Sequence, residues 1–263
     1  MQRSGVITIT TDVGHKGPFT AVMKGVIYSR FPEARIVDIA EDVPVHWPPE
    51  AEFWVSRSYP YFPPGSVHLV IVDPALDGNR DILLIDYDSH FFVAPDNGLL
   101  ARFLDDADGA QVFKLDIDCL PRLGIPEPDL CFHGRDVFAP VVAELAAGRT
   151  TPVSIGKACQ AYTPAWLEPP EVGSSRIKGT VITFDSFGNL ITNIEASHLD
   201  GLRATHVQIG GQTIPVLDNY AEATPGDYLA LINSFGVVEI ARAEGSAAES
   251  LGIERGAPVI AIG

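Results

Sequence analysis

The stretch "VITITTDVGHKGPFTAVMKGVIYSRFPEARIVDI", residues 6–39, decides the fold. It opens on "VITIT" (6–10), β-branched throughout, which reads as a strand. From residue 19, "FTAVMKGVIYSRF" sets Phe19, Val22, Met23, Val26, Ile27 and Tyr28 near one face at helical spacing, and Pro18 suits a first helical turn. "ARIVDI" (34–39) returns to strand character. A strand, a helix and a strand joined this way make a parallel crossover unit. Working outward, helical "PEAEFWVSRSYPYF" (49–62) and strand-like "SVHLVIVD" (66–73) repeat the step, so a mostly parallel sheet is expected. "DILLIDYD" and "HFFVAPD" read as a hairpin, "GLLARFLDD" as a short helix, and "RDVFAPVVAELAAG" as a longer helix ending at Gly148.

The texture then changes. Residues 161–178 form a proline-bearing linker, and beyond them come only strand-like runs: "TVITFD", "NLITNI", "THVQIGGQTIPV", "YLALIN", "VVEIAR" and "APVIAI". Gly210-Gly211 and "NSFG" (233–236) mark hairpin turns. The expected organisation is an α/β domain over 1–160 and a small antiparallel, barrel-like all-β domain over 179–263. With 263 residues, 46% of them hydrophobic, the chain can bury a substantial core. A net charge of −16 argues against a nucleic-acid partner, which would need a dense basic face. No long apolar run suggests a membrane span, and "MQRSGVITIT" lacks the features of a secretory signal, so a cytoplasmic location is the expectation. Cys119, Cys131 and Cys159 are scattered, so they read as reduced and buried.

Ligands of open α/β sheets bind beyond the carboxyl ends of the strands. Three polar residues fall at such places: Asp12 in "TITTDVG", Asp73 in "VDPALDGNR", and His133 in "CFHGRDVF". Each also has an ordinary structural explanation, since an acid after a strand often caps a helix and a single His before a helix is commonly structural. No H-E-x-x-H motif, phosphate-binding glycine loop or G-x-S-x-G elbow is present. An acid at the head of "TTDVGHKGPF" would repel a phosphate but can accept both hydroxyls of a ribose.

Taken in order along the chain, "TITTDVG" with "MKGVI", "ARIVDI", "YFPPGSVHLVIVDPALDGNR", "APDNGLL", "FHGRDVFAP", "FGNLITNI" and "NSFGVVEIA" resemble the S-adenosyl-L-methionine hydroxide adenosyltransferases, hydrolytic relatives of the fluorinase and chlorinase enzymes. The resemblance spans residues 6–262. It implies a Rossmann-like N-terminal domain with a β-barrel tail, assembled as a homotrimer with active sites between neighbouring subunits. It implies that Asp73, Arg80 and His133 position and activate water, and that Asp12 holds the ribose. By the same resemblance Asp185 faces the methionine ammonium, Phe187 packs on adenine, Asn189 bonds its edge, and Ser234 meets the methionine carboxylate. The reaction implied is attack of water at C5′, giving adenosine and L-methionine. No metal or other cofactor is called for, because methionine leaves a sulfonium as a neutral thioether.

Some positions depart from the family pattern. Gly17 stands where an acid is common, Phe19 where the halogenating relatives have Ser, and Ala75-Leu76-Asp77 are bulkier than usual. Either His46 or Trp47 supplies a pocket aromatic. "DSFGN" is also an ordinary turn composition, in which Asp and Asn satisfy each other. The alternative readings are a non-catalytic nucleoside or S-adenosylmethionine binding protein, a halide-using adenosyltransferase, and an unrelated metal-dependent hydrolase.

Overall fold

A computed structural model describes residues 2–73, 80–105, 107–129, 131–202 and 204–263. The chain divides into two compact units, Met1–Leu167 and Glu168–Gly263.

The first unit is built on a seven-stranded sheet. Its strands are β1 (Val6–Thr11), β2 (Arg35–Ala40), β3 (Val67–Ile71), β4 (Ile82–Tyr87), β5 (His90–Pro95), β6 (Gln111–Leu115) and β7 (Gly156–Ala158). They lie in the order β2-β1-β3-β5-β4-β6-β7. Neighbours β2, β1, β3 and β5 are parallel, while β4, β6 and β7 each oppose the strand before them in that order. Five strands therefore share one direction and two, β4 and β7, run against it, so the sheet is mostly parallel as expected. Strands β6 and β7 were not legible in the sequence; both are short, and β7 is a three-residue edge with little apolar content.

Strands β1, β3 and β5 are buried along their whole length, and apolar residues dominate them. One face packs Ile7, Ile9, Leu69 and Leu84 against helix α1 (Phe19–Arg30), through Met23 and Ile27, and against Phe138 and Val141. The other packs Val70, Val72, Ile85 and Phe92 against helix α2 (Pro49–Ser58), through Ala51 and Val55, and helix α3 (Ala101–Asp105), through Phe103 and Leu104. A π-helical turn over Gly134–Phe138 leads into helix α4 (Ala139–Ala146), and Gly148 ends it with φ +71°. A single turn, α5 (Pro152–Ile155), precedes β7. From β1 the chain passes to β2 on one side and then to β3 on the other. The carboxyl ends of β1 and β3 thus flank a topological switch point, where such sheets open a crevice.

The second unit is antiparallel. It comprises β8 (Glu171–Val172), β9 (Arg176–Phe184), β10 (Leu190–Glu195), β11 (His206–Ile209), β12 (Gln212–Pro215), β13 (Tyr228–Ile232), β14 (Val237–Arg242) and β15 (Pro258–Ile262), with one short helix, α6 (Ala247–Leu251). The main path is β12-β11-β15-β9-β10-β14-β13, and β8 pairs with β9. A bridge between Val216 and Ala230 draws the two ends of the path together, so the sheet is nearly a closed barrel. Inside it lie Ile177, Val181, Leu190, Val207, Ile214, Ile240 and Val259. Gly210 and Gly211 form the expected two-residue hairpin turn, both with positive φ (55° and 77°).

All three cysteines are free, but none is fully buried, and Cys131 is exposed, against expectation. Among the described residues, no helix is long and apolar enough to cross a membrane.

Candidate active site

Strands β1 and β3 are in register to their last residues, Thr11 opposite Ile71, so the residues that follow emerge side by side. Asp12 follows β1 directly, and Asp73 follows β3 after Val72. The Asp73 main-chain N–H donates to an Asp12 carboxylate oxygen at 2.8 Å. Asp12 therefore does not cap a helix; α1 begins after Pro18. Partial burial pushes the Asp12 carboxyl above its ordinary range, outweighing the pull of that N–H.

Asp73 itself has φ +45°, in the left-handed region. Its carboxylate pairs with the Arg80 guanidinium at 3.3 Å, and the same guanidinium donates to the Asp73 main-chain carbonyl. Both side chains keep about a third of their surface exposed, 30% for Asp73 and 34% for Arg80, so the pair remains open to a ligand. Ala75, Leu76 and Asp77, the bulkier run noted in the sequence, lie outside the described residues.

Asn97, for which the sequence suggested no role, completes this corner. It follows β5 and is 4% exposed. Its amide donates to the Val72 carbonyl (2.8 Å) and the Asp73 carbonyl (3.1 Å), and its oxygen accepts the Leu99 N–H (3.1 Å). The Trp166 indole N–H in turn donates to the Asn97 main-chain carbonyl at 2.7 Å. "PDNG" has the composition of a turn, and that hid the residue.

His133 stands at the entry to the π-helical turn, half-buried, and makes no capping hydrogen bond. Among the described residues, no hydrogen bond or ion pair joins it to Asp73 or Arg80. The Asp136 carboxyl, three residues on, is held below its usual range first by Arg135, with Nε at 2.5 Å, and in smaller part by His133. Phe19 stands edge-on to Phe132 at 5.6 Å, flanking this turn. His46 is exposed and Trp47 half-buried in the loop before α2. Among the described residues, no group of three or more His, Cys, Asp or Glu is gathered as a metal site would require.

In the second unit, Asp185, Phe187 and Asn189 sit together on the turn between β9 and β10. One Asp185 oxygen accepts the N–H groups of Phe187 and Asn189, both at 2.9 Å, and the other accepts the Asn189 amide at 2.9 Å. The mutual satisfaction expected of an ordinary turn is present, yet a carboxylate has about four acceptor sites and this one uses three. Phe187 is 76% exposed, far more than a hairpin needs. These residues, with Tyr220, Arg242 and Ser246, line a cleft of about 1020 Å³. The Tyr220 hydroxyl donates to buried Glu239 at 2.5 Å, and burial together with that carboxylate pushes the phenol pKa up. The other Glu239 oxygen accepts from Asn233 at 3.1 Å, at the base of the turn that carries exposed Ser234. Tyr220 belongs to no recognisable motif, and Glu239, though inside "NSFGVVEIA", was given no role there.

The geometry thus brings Asp12, Asp73 and Arg80 into one cluster and Asp185, Phe187 and Asn189 into another. Comparison with known proteins gives these clusters a context. The family model for the SAM hydroxide adenosyltransferase N-terminal domain matches residues 7–156, and that for the C-terminal domain matches 179–260. An (R)-S-adenosyl-L-methionine hydrolase from Thermus thermophilus is 35% identical, covering 95% of this chain and 96% of its own. One from Salinispora tropica is 31% identical, with 95% of each chain covered. A crystal structure of an uncharacterised conserved protein from Thermotoga maritima superposes with a TM-score of 0.88 at 28% identity, covering 98% of this chain and all of that one. On both halves of its sequence, the chain belongs to the SAM hydroxide adenosyltransferase family.

Proposed function

We propose that the protein hydrolyses S-adenosyl-L-methionine to adenosine and L-methionine. The observation that carries this reading is the partly exposed Asp73–Arg80 pair at the β1/β3 switch point, beside the Asp12 carboxylate. Water attacks C5′ of the ribose; the new C–O bond forms as the C5′–S bond breaks, and the sulfur keeps the electron pair. Methionine leaves as a neutral thioether and needs no proton. Only the nucleophile needs help, and the Asp73 carboxylate takes its proton while Arg80 and His133 hydrogen-bond the nascent hydroxide and fix its line of attack. No cofactor is required by this scheme.

Asp12 is assigned the ribose diol. One of its oxygens accepts the Asp73 N–H, and a carboxylate has acceptor capacity beyond that bond. In the second unit, the remaining acceptor capacity of Asp185 is assigned to the methionine ammonium, exposed Phe187 to the adenine face, Asn189 to its edge, and Ser234 to the methionine carboxylate. The first unit is read as a Rossmann-like domain and the second as the C-terminal barrel of a cytoplasmic homotrimer, with each substrate held between neighbouring subunits. Chromatography of S-adenosylmethionine incubated with the purified protein tests the reading. Adenosine and methionine in equal amounts are expected; unchanged substrate at high protein concentration would leave a binding protein only.

A further inference from the structure

Beyond Ile71 the ladder between β1 and β3 ends, and the register between β3 and β5 ends earlier, at Leu69 opposite Val93. The carbonyls of Val72 and Asp73 therefore have no strand to pair with, in a place where unpaired carbonyls are costly. Asn97 answers both with its amide, and its own oxygen accepts from Leu99, so both ends of this buried side chain are engaged. Asp73, meanwhile, holds a left-handed conformation that a non-glycine residue keeps only when its surroundings fix it.

We propose that Asn97 is a positioning residue for the reaction: by gripping the Val72 and Asp73 carbonyls it fixes the backbone conformation that aims the Asp73 carboxylate at Arg80 and at the attacking water. Trp166 supports it through the Asn97 main-chain carbonyl. The inference rests on the role assigned to Asp73 above. It concerns how that carboxylate is aimed, not whether it is the base.

Two variants separate this role from simple bracing. Asn97→Asp keeps the oxygen that accepts from Leu99 but loses the amide donors. Trp166→Phe keeps an aromatic ring at this position, smaller than the indole, and loses the N–H. For each, kcat and KM for S-adenosylmethionine, adenosine affinity by calorimetry, and the pH profile of kcat are measured against the parent. Asn97→Asp is expected to lower kcat by about 10- to 100-fold with adenosine affinity within about twofold, as misaimed reacting groups do. Its kcat profile should also move its acid limb to higher pH, because a new negative charge beside a carboxylate favours the protonated form. Trp166→Phe should lower kcat by a smaller factor without moving the limb. An unchanged kcat in either folded variant, an affinity loss as large as the kcat loss, or a lowered kcat in Asn97→Asp with the limb unmoved would overturn the assignment. A parent protein that leaves S-adenosylmethionine intact would sink the underlying reading instead, and the positioning role with it.

Discussion

Few residues other than glycine adopt positive φ, and Asp73 does so at the end of the central strand β3, held by its neighbours Asp12, Arg80 and Asn97. Removing its charge while keeping its shape is the sharpest test of its role. Asp73→Asn should leave adenosine affinity near that of the parent and lower turnover by about 100-fold or more, the usual scale for a positioned base; parental turnover would assign the proton to another group. Asp12 and Asp185 should separate by ligand. Asp12→Ala should weaken both S-adenosylmethionine and adenosine, which share the ribose. Asp185→Ala should weaken only S-adenosylmethionine, which alone carries the ammonium, and equal adenosine losses in calorimetry would overturn that division. The pH dependence has a defined sign. Burial raises the Asp12 pKa, and a diol is bound best by the ionised acceptor, so adenosine affinity should begin to fall at a pH above the ordinary carboxylate range as pH is lowered. In Asp12→Ala that fall should be absent. Asp12, Asp73 and Arg80 could be found in the sequence because strand ends advertise themselves by the apolar run that stops there. Asn97 could not, because an amide that bonds main-chain carbonyls 24 and 25 positions away is visible only once β3 and β5 lie side by side.

At the scale of elements, the central strands carry polar residues that the site does not use. His68 of β3 is fully buried, with Nδ1 2.8 Å from the Thr8 hydroxyl of β1 and Nε2 3.1 Å from Nδ1 of His90 on β5. Tyr59, Phe62 and Phe92 close around the pair. Burial lowers the His68 pKa to about 3, with His90 adding to the effect, and lowers that of His90 too, against the opposing pull of Asp88. Above the ordinary value of 6.5 neither state of the protein protonates His68. Below it the unfolded chain takes up a proton that the folded chain refuses, so stability should fall as pH drops from 6.5 towards 3, by up to about 1.4 kcal/mol per pH unit. His68→Gln, which can still bond Thr8 and His90, should show a shallower loss of the urea midpoint between pH 6.5 and 4.5; parallel curves for the two proteins would contradict the assignment. Elements with strong periodicity, such as β1, α1 and β3, were legible from the sequence. The terminal strands β6 and β7 were not, because pairing recruits them, β6 beside β4 and β7 beside β6, rather than any propensity of their own.

For the molecule as a whole, the two clusters of site residues belong to two compact units, and the proposed function requires that one substrate meet both. A homotrimer with sites between neighbouring subunits satisfies that requirement and makes two predictions. Sedimentation equilibrium should give a mass three times that of the 28.3 kDa chain. Co-expressed Asp73→Asn and Asp185→Ala chains should recover activity at low substrate beyond either variant alone, since some mixed sites then carry both parental residues; no gain on mixing would contradict sites shared between subunits. The barrel and the α/β sheet were each legible from alternation and turn chemistry, whereas no composition or spacing encodes which copies share a site. The central claim is the choice of nucleophile. A carboxylate at Asp73 puts negative charge where a halide would have to sit, at a cost that a low-dielectric pocket enlarges. The most direct measurement is mass spectrometry of the nucleoside formed from S-adenosylmethionine in oxygen-18 water with added chloride and fluoride. Hydrolysis through Asp73 predicts adenosine carrying the heavy oxygen at its 5′-hydroxyl and no halogenated nucleoside; 5′-halo-5′-deoxyadenosine as the main product, or adenosine without the label, would contradict it.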